Sequence, residues 1–144
     1  MAARLPIKLK VDTKFRPCFA EDGDELYPNG IFEFNITRLL SFIEGHREQF
    51  PVEFIPVATF PDYAARHLDD ATIRTADLSR PILRAEISPG NFNVIDGHHR
   101  VARARREAVS DLPACTIYSP HHVRFLTSIE GYLRYIEYWN AKLK

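Results

Sequence analysis

The sequence predicts an α+β fold, in which a mixed β-sheet with flanking helices forms a single domain spanning residues 1–144. The first observation behind this prediction is the order strand, turn, strand, helix, strand between residues 81 and 118. The second is that no internal repeat, low-complexity tract or linker divides the chain. The third is the composition: 45% of the residues are apolar and 26% are charged, as in ordinary globular domains that bury a core.

In the N-terminal part, the hydrophobic pattern predicts two strands, a loop and a helix. Residues 5–11 alternate apolar and polar side chains, which is typical of a half-buried strand. Residues 12–30 contain two prolines, two glycines and five acids, which predicts a long surface loop. Residues 31–34 are predicted to form a short strand, and Asn35 is a good N-cap for a following helix. The predicted buried face of that helix carries Ile36, Leu39, Leu40 and Ile43.

The middle of the chain is predicted to contain a buried strand and short helices. Residues 52–58 read as a second buried strand, and residues 61–79 as one or two short helices whose ends the pattern does not locate.

Stronger local signals follow. Residues 81–87 have a strand pattern, the segment Ser88-Pro-Gly-Asn91 has turn chemistry, and residues 92–96 return as the second strand of a hairpin. A glycine then breaks the strand, and residues 98–109 are predicted to form a helix packed on the sheet. Residues 112–118 are predicted to add another strand.

The C-terminal segment predicts one more helix. Thr127-Ser-Ile-Glu130 matches a capping box, which indicates where this helix begins. Its apolar residues recur at helical spacing and are expected to be core rather than a cofactor site. They are Ile129, Tyr132, Leu133, Ile136 and Trp139 or Asn140.

Charge and cysteine content narrow the functional class. Lysines and arginines number 19, as do aspartates and glutamates, so the net charge is zero and a nucleic-acid partner is disfavoured. No apolar run is long enough for a membrane span, and the first ten residues do not resemble a secretory signal. Cys18 and Cys115 have no metal-binding or redox spacing, and Cys115 is expected to be a buried thiol. We therefore expect a cytoplasmic protein.

The candidate functional site is the predicted strand-to-helix corner at Asp96-Gly97-His98-His99-Arg100. A glycine allows a sharp turn, and the first turn of a helix offers backbone N–H groups and a positive dipole end to an anion. With His98, His99 and Arg100 around it, such a corner suits phosphate. Asp96 could hold Mg²⁺ between phosphates or orient a histidine.

The alternative interpretation is plain helix capping with a solvated arginine face. Helical geometry places an apolar arc on one side of the predicted helix, with Arg105 inside it. We expect Arg105 to extend past the edge of the core, and Arg100, Arg103 and Arg106 to point away from the arc. The arc consists of Val101, Ala102, Ala104, Ala108 and Val109.

The two histidine pairs leave a further alternative open. His98 and His99, together with His121 and His122, would form a transition-metal site only if the helix met the 121–122 loop. The sequence contains no Walker A motif, no Gly-x-Gly-x-x-Gly and no Gly-x-Ser-x-Gly.

One run of elements resembles the ParB/sulfiredoxin-like superfamily. It consists of the predicted strand at 92–96, the corner, the helix at 98–109 and the strand that contains Leu112-Pro-Ala-Cys-Thr-Ile117. The resemblance covers residues 52–118, and residues 1–51 and 119–144 are expected to be extensions packed on that core. It implies nucleotide or phosphate binding at the start of the helix. Sulfiredoxins carry a catalytic cysteine where this chain has His98, so their reductase reaction is not expected. ParB-type partition proteins carry Gly-Glu-Arg-Arg at the corner and a large DNA-binding region after it.

The Asp-Gly-His-His-Arg sequence matches a branch that includes free-serine kinases, which use ADP or ATP. The resemblance therefore implies a phosphotransferase in which Gly97, His98, His99 and Arg100 bind phosphate, and Asp96 and His99 act in catalysis. Those kinases use an upstream glutamate as base, and the nearest acids here are Asp62, Asp69 and Asp70. The branch also favours a small residue where this chain has Arg103.

Two functional hypotheses follow, with a third behind them. The first is a phosphotransferase that uses Mg²⁺ and ADP or ATP on a small-molecule substrate. The second is a non-catalytic module that binds a nucleotide or a nucleic-acid backbone. The third is a nuclease, which the neutral charge disfavours.

Overall fold

The computed structural model describes residues 7–30, 32–61 and 68–143. Within them the chain forms an α+β domain with a mixed four-stranded sheet, a separate two-stranded hairpin and five helices. The strands are β1 (Leu26–Asn29), β2 (Phe32–Asn35), β3 (Glu53–Pro56), β4 (Ile82–Ser88), β5 (Asn91–Asp96) and β6 (Asp111–Ile117). The helices are α1 (Ile36–Gly45), α2 (Asp70–Thr75), α3 (His98–Arg106), the single turn α4 (Ser119–His122) and α5 (Ile129–Lys142).

The central sheet has the strand order β3-β6-β4-β5. β4 and β5 are antiparallel neighbours joined by the predicted turn, in which Gly90 has a φ of 77°. β4 runs parallel to β6, and β6 runs antiparallel to β3. The predicted mixed sheet containing the segments 81–87, 92–96 and 112–118 is therefore confirmed.

Two apolar clusters cover the two faces of this sheet, because side chains alternate along its strands. On one face, Ile82 of β4 packs in a smaller cluster with Val101 and Ala104 of α3. On the other face, Leu83 and Ala85 belong to a larger cluster that includes the buried sides of α1 and α5. The predicted packing of the 98–109 helix on the sheet is confirmed, although α3 ends at Arg106. It ends early because Ala108 adopts a positive φ of 54°.

The helices on the larger face begin near the predicted residues. The Asn35 side chain accepts a hydrogen bond from the Arg38 N–H, so the predicted cap of α1 is confirmed. In α5 the cap is Ser128, whose hydroxyl accepts from the Gly131 N–H, and not the first residue of the predicted capping box. The core positions of α5 are also displaced: Ile129 and Leu133 are exposed. Its buried residues are Gly131, Tyr132, Tyr135, Ile136 and Trp139.

The N-terminal predictions are wrong in two places. The described part of the 5–11 segment is not a strand, because α5 side chains take its backbone hydrogen bonds in place of a neighbouring strand. Asn140 accepts from the Leu9 N–H and donates to the Leu9 carbonyl, and the Trp139 Nε1–H donates to the carbonyl of Ile7. In addition, the predicted 12–30 loop contains β1, which pairs antiparallel with β2.

The predicted buried strand at 52–58 is shorter and more exposed than expected. β3 spans only four residues, and Phe54 is 71% exposed, because this strand lies at the edge of the sheet. Of the predicted 61–79 helices, α2 is present, and residues 62–67 lie outside the described part of the chain. Within the described residues, no helix combines the length and the apolar character that a bilayer crossing requires.

Candidate functional site

Gly97 makes the sharp turn between β5 and α3 that the sequence predicts. Its φ is 108° and its ψ is 21°, a conformation that favours glycine. A Cβ atom built on Gly97 would lie 2.7 Å from Ile82 Cδ1 and 3.1 Å from Arg100 Cζ. Both the backbone conformation and the close packing therefore require glycine at this corner.

The N-terminus of α3 presents backbone donors beside this turn. The Val101 N–H donates the first helical hydrogen bond, to the Gly97 carbonyl over 3.1 Å. The N–H groups of residues 98–100 lie ahead of that bond, and Gly97 has no side chain to cap them. Such a helix start attracts anions through its aligned N–H groups and its dipole.

Arg100 does not point away from the sheet, and that expectation was wrong. The residue is only 7% exposed, and its Nη1 donates to the carbonyls of Arg80 over 3.0 Å and Pro81 over 2.6 Å. Its Nη2 donates to Asp96 Oδ2 over 3.1 Å. The position beside Gly97 leaves room for the guanidinium to reach the chain entering β4. Arg100 thus ties α3 to β4 and β5, whatever else it binds.

A carboxylate that sequence reasoning missed lies in the same cluster of charges. Burial raises the pKa of the Glu25 carboxyl, the negative charge of Asp96 raises it further, and Arg100 and Arg80 act in the opposite direction. The Glu25 carbonyl accepts from the Ile36 N–H over 2.8 Å, which holds the residue at the start of α1. No local pattern marked Glu25, because it lies in a segment predicted as a loop.

A cavity of about 340 Å³ opens beside the corner, between α2, α3 and the segment before β4. Arg80 is exposed along this cavity. Its guanidinium has no hydrogen bond or close ion pair among the described residues, but its charge acts on the carboxylates of Asp77, in the same cavity wall, and Glu25. Arg80 therefore places an exposed positive charge at the cavity wall, and no local sequence pattern marked it. The cavity is lined by Thr72, Thr75, Ala76, Asp77, Arg80, Asp96, Gly97, His99 and Arg100.

The two histidines of the corner have different surroundings. Burial lowers the pKa of His98 to about 4, although the nearby Asp96 carboxylate opposes the effect, so His98 is neutral at pH 7. Its ring lies 6.1 Å from that of Tyr27 in β1. The His99 Nε2 accepts a hydrogen bond from the Asp69 N–H over 3.2 Å. His99 in this arrangement carries its proton on Nδ1.

The acids considered as upstream bases have other contacts. Asp69 caps α2, and its bonds from the Thr72 hydroxyl and N–H lower the pKa of its carboxyl. Asp70 forms ion pairs with Arg106 over 2.7 Å and with Arg74 over 3.3 Å. Asp62 lies outside the described residues. Glu25 is a further acid upstream of the corner, and the Asp96 charge acts on its carboxyl.

The remaining arginines of α3 anchor the helix to its neighbours. Arg103 Nη1 donates to the Ala76 carbonyl at the end of α2, so this large residue has a structural contact. Arg105 is exposed and reaches the Phe60 carbonyl, as expected for an arginine that extends past the core.

The structure does not join the two histidine pairs. His122 is fully buried in the larger cluster, where its Nε2–H donates to the Glu86 carbonyl, and His121 packs against Phe50. Across the described residues, no group of three or more His, Cys, Asp or Glu side chains is placed to hold a metal. Cys115 is buried as expected, and burial raises the pKa of its thiol.

The oxygen donors at the corner suit Mg²⁺ only together with phosphate. Among the described residues, the carboxylate of Asp96 is hydrogen-bonded through Oδ2 alone, and Glu25 is its electrostatic neighbour. One or two carboxylates with several phosphate and water oxygens make a typical Mg²⁺ site. The donor set therefore fits a metal that arrives with a nucleotide.

Comparison of the chain with protein-family models, with curated proteins and with solved structures gives no match. The candidate site is therefore described by the corner itself, which combines a helix start without a side-chain cap, an exposed Arg80 and two neighbouring carboxylates.

Proposed function

We propose that this chain binds ADP or ATP at the corner and transfers the terminal phosphoryl group to a small hydroxylated molecule, as a member of the Asp-Gly-His-His-Arg branch of the ParB/sulfiredoxin-like superfamily. The observation that carries the proposal is the cavity beside α3. There the exposed Arg80 and the N-terminal N–H groups of the helix surround one space. An arginine and a helix start together form a strong phosphate-binding arrangement.

The roles of the residues follow from their contacts. Arg80 and the backbone N–H groups of His98 and His99 hold the phosphates, while Arg100 keeps α3 in place against β4. Gly97 lets the backbone turn there. The His99 Nε2 accepts a hydrogen bond from the Asp69 N–H, so the Nδ1–H of the ring is the group that can act as a donor. Mg²⁺, when bound, would neutralise phosphate charge, and Asp96 would supply its protein oxygen.

The reaction needs one base. The acceptor hydroxyl oxygen attacks the terminal phosphorus, a new P–O bond forms, and the bond from that phosphorus to the bridging oxygen breaks. The nucleotide leaves one phosphate shorter, and the acceptor hydroxyl proton passes to a carboxylate. Glu25 suits this task because its raised pKa makes it a stronger base than an ordinary glutamate. Such chemistry depends mainly on positioning and charge neutralisation.

A nucleotide-binding module without turnover is the second candidate. The observation that favours it is the ion pair between Asp96 and Arg100, whose side chains are only 12% and 9% exposed. That pair gives Asp96 a structural role as the partner of Arg100, and this role does not require a metal.

The first experiment tests binding. ADP, ATP, CTP and GTP are each added, with and without Mg²⁺, and the shift in melting temperature is measured, because a ligand of the folded state raises apparent stability. Arg80→Ala should lose most of the shift at an unchanged melting temperature of the unliganded protein. Arg134→Ala is the matched control, since Arg134 is also exposed but lies on α5. A parent that no nucleotide stabilises, or an Arg80→Ala variant that responds fully, would contradict the proposed site.

The second experiment separates the enzyme from the module. Nucleotide consumption is followed by chromatography with a panel of hydroxyl acceptors, free serine being the first. Glu25→Gln should reduce turnover by about 10²–10⁴-fold, the usual contribution of a general base, while the nucleotide-induced melting shift remains. Nucleotide binding without consumption across the panel would support the module. Asp96→Asn is a poorer test, because it also disturbs the partner of Arg100.

A further inference from the structure

A second cavity, of about 240 Å³, adjoins the proposed nucleotide cavity. The two share Arg80 and Asp96 as lining residues, so they meet at the charged cluster where phosphate is proposed to bind. A molecule in the second cavity would therefore have one end beside the reacting phosphate.

The inner wall of this second cavity is apolar. Ile43 comes from α1, Leu83 from β4 and Cys115 from β6, and all three are buried in the larger cluster. Leu40 adds a half-buried side chain from α1. A ligand with an apolar body binds more favourably against this wall, because its own hydrocarbon surface leaves water there.

The rim away from the shared residues carries a loosely held cation. Arg47 pairs with Glu44 over 3.1 Å, but the two side chains are 47% and 65% exposed, and such pairs are weak. The Arg47 Nη1 also donates a long hydrogen bond to the Cys115 sulfur over 3.7 Å, so the guanidinium extends over the cavity wall. A carboxylate with two oxygens can take this guanidinium in preference to the exposed pair.

We propose that the second cavity binds the phosphoryl acceptor, and that this acceptor is a small carboxylic acid with a hydrocarbon body and a hydroxyl at its other end. The role of this ligand as phosphoryl acceptor rests on the proposed function, whereas its chemical class follows from the residues that line the cavity. The carboxylate lies at Arg47, the methylene groups lie against the apolar wall, and the hydroxyl lies beside Arg80 and Asp96. The hydroxyl proton and the transferred phosphoryl group then move as in the reaction described above.

The test uses δ-hydroxyvalerate as the probe, titrated calorimetrically into the whole chain without nucleotide. The diol of the same length lacks the carboxylate, and free serine lacks the hydrocarbon body. The probe should bind at least about tenfold more tightly than either, because a charge-assisted bidentate contact or several buried methylene groups are each worth that factor. Arg47→Gln should weaken probe binding by about tenfold or more, and Glu44→Gln should leave it equal or tighter, because it frees Arg47.

The inference is overturned if the diol or serine binds as tightly as δ-hydroxyvalerate, or if Arg47→Gln binds the probe as the parent does. Its failure is distinguishable from failure of the proposed function. A parent that is stabilised by nucleotide but does not bind the probe refutes only the acid-binding cavity. A parent that binds the probe through Arg47 but shows no nucleotide shift supports the ligand class of the cavity and refutes the nucleotide site.

Discussion

The two faces of the central sheet are held by different interactions. On the larger face, α1 and α5 pack apolar and aromatic side chains, among them the fully buried Trp139 and Tyr135. On the smaller face, α3 contributes only Val101 and Ala104 to the core, and its arginines make the other contacts. These reach backbone carbonyls of the preceding segments and the carboxylates of Asp96 and Asp70.

This difference predicts how each face responds to substitution. A large apolar face tolerates loss of volume poorly, because it stabilises the fold through the close packing of buried side chains. The smaller face holds the corner through directional hydrogen bonds, which set the position of α3 and leave polar groups at the cavity. Substitutions on the two faces should therefore have different signatures, and the following predictions run from the largest expected effect to the smallest.

Trp139→Ala tests the larger face. The substitution leaves a cavity and removes the hydrogen bond from Nε1 to the Ile7 carbonyl, so we expect a loss of about 3–5 kcal/mol in the free energy of unfolding. Urea denaturation measures it. The nucleotide-induced stabilisation should remain close to that of the parent, because the corner is on the other face. The neighbouring Tyr138→Ala, which removes a partly exposed ring, should cost far less.

Arg100→Ala tests the smaller face. It removes two bonds to carbonyls and leaves Asp96 without its buried partner, so we expect a loss of about 3 kcal/mol together with loss of the nucleotide response. Arg106→Ala is the control, because its pair with Asp70 is exposed. Adding Asp96→Asn to Arg100→Ala should recover part of the stability. An Arg100→Ala variant as stable as the parent would show that Arg100 is not an anchor.

Gly97→Ala and Gly90→Ala compare two glycines with positive φ. At Gly97 the new methyl meets Ile82 Cδ1 at 2.7 Å, whereas at Gly90 no atom lies within 4 Å. Backbone strain alone should cost about 1–2 kcal/mol at each position, and crowding should make the Gly97 variant the less stable of the two. Thermal denaturation of both variants measures the difference. Equal losses would mean that the corner can relax around an added methyl.

The weakest expected effect is a pH dependence from His98. Its pKa is lowered to about 4 in the folded protein, below the value of about 6.5 for an unperturbed histidine. The unfolded chain therefore binds more protons between these values, so the contribution of His98 to stability is present at pH 7 and is lost as the pH falls. Urea denaturation of the parent and of His98→Gln, from pH 7 to pH 5, should show a smaller decline in the variant. Parallel declines would contradict the assigned burial of this imidazole.

The part of the fold that the sequence predicts well is the part with local signals. The turn at residues 88–91 and the break at Gly97 each depend on a few adjacent residues, so the hairpin, the corner and α3 could all be predicted. The N-terminal segment has the alternation of a strand, but alternation does not specify a partner. Its partner is α5, more than a hundred residues away, and side chains bond its backbone there.

The candidate site divides in the same way. Asp96, Gly97, His98, His99 and Arg100 are adjacent in the chain, and a glycine between a strand and a helix is visible without a structure. Arg80 and Glu25 come from other segments, and only packing brings their charges near Asp96. The orientation of Arg100 was predicted wrongly for a related reason, because its burial depends on the carbonyls that precede β4.

The sequence by itself determined the α+β class, the hairpin and the place of the corner, because turn residues and short-range periodicity act over a few neighbours. Only the tertiary structure decided which charges meet at that corner. Charge interactions depend on distance in space and on burial, and neither can be read from positions 25, 80 and 96 along the chain. For the same reason, only the folded sheet shows that one face is held by apolar packing and the other by arginine contacts.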